Sequence, residues 1–86
     1  MPYIDTYSRF RYVKVTDIID AIPEISTKGD LEYLVFALMK KFMKSRESRY
    51  STLHDAVYAT QHAADEFRRR FLDKREDEAL VANGDI

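Results

Sequence analysis

The chain has 86 residues, 45% hydrophobic and 13% aromatic, with 14 Lys+Arg against 15 Asp+Glu and no Cys or Trp. The missing Cys excludes disulfides and thiolate zinc fingers, the near-neutral charge excludes a globally basic nucleic-acid binder, and the apolar content excludes a disordered chain. A domain this short buries only about 60–65% of the surface its unfolded chain exposes, so a second copy of the chain is the expected staple.

Residues 1–14 read as an aromatic arm. Tyr3, Tyr7, Phe10 and Tyr12 are too apolar for a solvated tail and are expected to lie over the core or over a neighbouring subunit. Tyr12, Val13 and Val15 favour extended backbone, which admits a short strand at 11–15. A short helix is expected over 16–25, with Thr16 as its cap and Ile18, Ile19 and Ile22 on one face; Pro23 closes the pattern.

The second helix is expected over 29–44. Thr27 and Asp30 form a short-armed capping pair. Leu31, Leu34, Val35, Leu38, Met39 and Phe42 then fall at helical spacing. Tyr33, Phe36, Ala37 and Met43 are apolar on other faces, so this helix asks for burial on several sides. A loop follows over 44–50.

The third helix is expected over 51–82, with Ser51 or Thr52 as its cap and Thr52 and Asp55 as a second box. Leu53, Val57, Thr60, Ala64, Phe67 and Phe71 form a heptad-like seam for antiparallel packing on the second helix. Asn83-Gly84 is a C-terminal stop pair. Such a helix spans about 46 Å, longer than a three-helix domain needs, so its last turns are expected to project onto something else. The longest apolar run, residues 33–39, is far short of the ~20 residues of a membrane span. The first residues lack a positive start and an apolar h-region, and the expected location is the cytoplasm.

The chemistry-bearing residues are few. His62 and Glu66 are four apart, a spacing that can share a metal, but two nitrogens and one carboxylate on one helix make a poor ligand set. No metal or cofactor is expected. Lys40, Lys41, Lys44, Arg46 and Arg49 form one basic cluster; Arg68, Arg69, Arg70, Lys74 and Arg75 form another. Each cluster reads either as a solvated, acid-balanced face or as an anion site, with Tyr33 and Tyr50 available to stack on a base. Glu66 precedes Arg70 by four, the favourable order for a weak helix ion pair, so Arg70 is expected either to pair with an acid, Glu66 or one on another subunit, or to await an anionic ligand. No phosphate-cradling Gly loop, Gly-x-Ser-x-Gly or His-Glu-x-x-His occurs, and the chain is not expected to be an enzyme.

Residues 29–35 (Gly-Asp-Leu-Glu-Tyr-Leu-Val), 50–53 (Tyr-Ser-Thr-Leu) and 66–70 (Glu-Phe-Arg-Arg-Arg) carry a resemblance. So do the tail, Glu76-Asp77 followed by Asn83-Gly84-Asp85-Ile86, and the start, Met1-Pro2-Tyr3-Ile4. Together they resemble a family of small uncharacterised proteins of phages, bacteria and archaea, a domain of unknown function. The family pattern usually breaks at a Pro near Lys74; its absence here implies a more continuous third helix. The resemblance implies a phage-type context and no reaction.

The reading is therefore a single all-α domain of three helices over 1–86, homo-oligomeric, working by binding. An anionic, nucleotide-like ligand held between subunits would draw on Tyr33, Lys44, Tyr50, Glu66, Arg69, Arg70, Asn83 and Asp85. The rival is an inhibitor or adaptor of a host protein without a small ligand. A nucleic-acid accessory role is disfavoured by the net charge of −1.

Overall fold

A computed structural model describes residues 2–86. Met1, which carries part of the N-terminal resemblance, lies outside the described residues. The chain is helical almost throughout, with no strand among the described residues. One turn, α1 (Thr6–Arg9), runs through a 3-10 turn (Phe10–Tyr12) into α2 (Val13–Ala21). Helix α3 (Lys28–Met43) follows. Helices α4 (Tyr50–Phe67) and α5 (Asp73–Asn83) are joined by a π-turn (Arg68–Leu72) into one long rod.

Residues 6–15 are helical, which corrects the expected strand at 11–15 and gives most of the aromatic segment a regular structure. The Asp5 carboxylate accepts the Ser8 N–H at 2.7 Å and starts a helix there. The β-branched residues at 13 and 15 are carried along, because no neighbouring strand offers hydrogen bonds to hold them extended. Thr16 is not a cap but lies inside α2, its hydroxyl donating to the Val13 carbonyl at 2.9 Å. The helix ends at Ala21, two residues before Pro23.

Helix α3 starts as its sequence dictates. Thr27 Oγ1 accepts the Asp30 N–H at 3.0 Å, and the Asp30 carboxylate accepts the Thr27 N–H at 3.2 Å. Thr27→Ala is expected to lower stability by about 1 kcal/mol, read from the denaturant midpoint at unchanged slope. At the other end the Arg46 guanidinium stacks on Phe42, 3.7 Å from the ring centroid, and donates to the Phe42 carbonyl. Helix α4 starts one residue earlier than expected. Thr52 is not its cap; its hydroxyl reaches back to accept the Arg49 N–H at 3.1 Å. The rod stops at Asn83, where Gly84 takes φ 83° and ψ 158°, a conformation essentially restricted to glycine.

The principal tertiary contact is α3 against α4. Ala56 lies at this contact, 6% exposed, and no other described residue is buried. Around it Val35, Met39, Phe42, Met43 and Thr60 are half-buried. The rest of the apolar surface is open. Phe67 is 65% exposed, and Ile18, Ile19, Phe36, Leu53 and Phe71 are exposed with it.

Two numbers measure this openness. The accessible surface is 8242 Å², whereas a folded monomer of 10.1 kDa exposes about 5,300 Å². The radius of gyration is 16.5 Å, against about 12 Å for a compact domain of this length. The chain exposes roughly 3,000 Å² more than a self-contained domain would.

Candidate functional site

Three regions hold most of the residues singled out in the sequence. The first is at the junction of α4 and the π-turn. In the π-turn the Asp73 N–H bonds to the Arg68 carbonyl, five residues back. One extra residue in the turn changes the directions of the side chains around it. Phe67 and Phe71 meet at 4.8 Å between ring centroids, and the three consecutive arginines diverge. Arg68 reaches Asp73 at 3.4 Å. Arg69 forks onto Glu66, through Nε at 2.9 Å and through Nη2. Arg70 donates from Nη1 to the Tyr3 hydroxyl at 3.2 Å.

This corrects one expected arrangement, the pairing of Glu66 with Arg70: the carboxylate is taken by Arg69, three residues on, and Arg70 turns to the N-terminal segment. Pro2, His62, Asp65, Glu66 and Arg69 line a shallow hollow of about 340 Å³ there. The Glu66 side chain is 15% exposed. The Arg69 hydrogen bond holds it below the usual carboxylate range, against the opposing effect of burial. The same bond raises Arg69 above its ordinary value. Asp5 is also lowered, chiefly by the Ser8 N–H.

Carboxylates lowered in the folded state add stability above their ordinary values, 4.5 for Glu66 and 3.8 for Asp5, and lose it as pH falls through the folded values. Acid titration is therefore expected to weaken the Asp5 cap and the Glu66–Arg69 pair as pH falls below these ordinary values. Glu66→Gln should flatten the Glu66 part of the curve, followed by tyrosine fluorescence.

The second region is a ring ladder along α4. Tyr50 stacks on His54 at 5.4 Å, His54 meets Tyr58 edge-on at 4.1 Å, and Tyr58 stacks on His62 at 6.0 Å. All four are one turn apart, so both histidines are engaged with tyrosine rings. Among the described residues no three metal-ligating side chains converge.

The third region is a groove of about 800 Å³ between α3 and the start of α4, with Lys40, Lys41 and Lys44 among its lining residues. Its apolar lining includes Phe36, Leu53 and Val57. On the other side of the α3–α4 contact a second apolar groove, about 680 Å³, runs past Leu31, Leu38, Ala63 and Phe67. The expected seam is thus divided, Leu53 and Val57 facing one groove, Thr60, Ala64 and Phe67 the other.

The chain brings Glu66, Arg69 and Arg70 together. It does not bring the other singled-out residues to them. Tyr50 is about 24 Å from Glu66 along the rod, and Asn83 about 20 Å from Arg70 at the other end. Asp85 lies beyond Asn83, Lys44 belongs to the groove, and Tyr33 is exposed on α3. Sequence reasoning missed Tyr3 as the partner of Arg70. The two are 67 residues apart, and no local periodicity links them.

The class defined by these features is a helical hairpin with a projecting rod and two open apolar grooves. The chain belongs to the family described as a domain of unknown function, DUF6899, whose model matches residues 1–86. No curated protein and no solved structure matches it. Among the described residues no helix is long and apolar enough to cross a membrane.

Proposed function

We propose that this protein works by binding rather than catalysis, and that its folded, working unit is a homo-oligomer. The observation that supports this is the core: among the described residues one is buried, Ala56, in a chain that is 45% hydrophobic. The excess surface, roughly 3,000 Å² per chain and about 6,000 Å² for a pair, is at or above the upper end of what obligate interfaces cover, about 2,000–5,000 Å² or more. The phage-type setting rests on the resemblance. Folding coupled to association makes stability depend on concentration. For a dimer, each tenfold dilution is expected to lower it by about 1.4 kcal/mol, measured as the shift of the denaturant midpoint. A midpoint independent of concentration overturns the reading.

A second reading, an anionic ligand held between subunits, is favoured by Arg70. Among the described residues its one side-chain hydrogen bond goes to a neutral hydroxyl, leaving further guanidinium donors for a phosphate. Arg69 is committed to Glu66 and is the weaker candidate. A nucleotide panel in a thermal-shift screen is expected to stabilise the wild type and not Arg70→Ala, with the effect falling as salt rises. Equal responses of the two proteins remove this reading and leave a host-protein partner.

A further inference from the structure

We infer that helix α5 of a second copy of this chain lies in the lysine-bearing groove between α3 and α4, in a reciprocal antiparallel pair. The inference rests on the homo-oligomeric reading and names the surfaces that meet.

The groove is apolar apart from three lysines at the C-terminal end of α3, Lys40 and Lys41 in its last turn and Lys44 just after it. Among the described residues none of them forms an ion pair. Helix α5 has the opposite charge: Asp73, Glu76, Asp77 and Glu78 against Lys74 and Arg75. One face of it groups Lys74, Asp77 and Glu78 with Val81 and Ala82, and Val81 is 86% exposed. Acids followed by an apolar end match a basic rim over an apolar floor.

The chain cannot make this contact with itself. The rod is continuous, and Leu53 and Asp77 are about 35 Å apart along it. The molecule extends 50 Å along its longest axis. The opposite end of the rod belongs to the groove, so only another copy can bring an α5 there.

The pairing implies a register. If two rods lie antiparallel with residues 77–81 of one beside 53–57 of the other, the two-fold axis falls at residue 67. Residue 67 is an exposed phenylalanine, stacked on Phe71. An isologous contact places a residue on the axis against its own copy, and an aromatic ring suits that position.

Charge reversal tests the pairing. Lys40→Glu, Lys41→Glu, Lys44→Glu in one variant, and Asp77→Lys, Glu78→Lys in another, are each expected to weaken self-association at least tenfold in analytical ultracentrifugation. Mixed one to one, they are expected to recover the wild-type assembly, because each groove then meets an α5 of opposite charge. The recovery separates lost pairing from lost folding. The native chain has no Cys, so oxidised Phe67→Cys is expected to give a cross-linked dimer of the wild-type shape. Variants that associate like wild type, a mixture that fails to recover, or a Phe67→Cys chain that does not cross-link overturn the docking. A wild type that is itself monomeric overturns the homo-oligomeric reading as well.

Discussion

Leu38→Asp is expected to abolish the folded assembly, although Leu38 is 63% exposed in the single chain. In an isolated hairpin a carboxylate at so open a position stays in water and costs little. Covered by a second copy it becomes a buried, unpaired charge, and the penalty is several kcal/mol. For a domain whose total stability is of order 5–10 kcal/mol, that is enough to unfold it. The effect is read as loss of helical circular dichroism at micromolar concentration. Leu38 lines the groove on the side away from the lysines, so the variant probes apolar covering separately from charge pairing. Full helicity in Leu38→Asp would mean that this groove faces solvent in the working protein.

The second large effect is expected at Ala56. This residue is the buried one between α3 and α4, bordering both grooves beside Met39 of α3. Ala56→Glu places a carboxylate among Val35, Met39 and Leu53 with no partner, again at a cost of several kcal/mol. Ala56→Leu, which adds volume without charge, is expected to cost about 1–3 kcal/mol by forcing the helices apart. The order Glu worse than Leu worse than wild type, in denaturant midpoints, tests the contact. If both variants match wild type, the α3–α4 hairpin is not the packed unit of the chain.

The parts of this fold that were legible in the sequence are those set by local chemistry. Thr27 and Asp30 are three apart and cap each other wherever a helix follows, so α3 begins where the sequence places it. The long third helix was legible because nothing between Thr52 and Ala82 breaks it, and Asn83-Gly84 ends it. The π-turn was not, since the 67–71 spacing suits either an α-turn or a wider one. The N-terminal segment was misread because propensity favoured extended backbone, while one carboxylate, Asp5, capped a helix.

The candidate site divides the same way. Neighbours on the rod, Glu66 with Arg69 and Arg70, are together because helical spacing puts them there. Their pairing was not legible, since the widened turn redirects the arginines and the Tyr3 contact crosses most of the chain. The all-round apolarity of residues 33–39 did signal its consequence. Tyr33, Phe36 and Leu38 are exposed because one partner helix covers only one face of α3.

The most direct test of the account is the mass of the protein in solution. Light scattering at micromolar concentration is expected to give at least twice the 10.1 kDa of the chain, with the dimer as the smallest folded species on dilution. A folded, fully helical 10.1 kDa monomer at that concentration contradicts it.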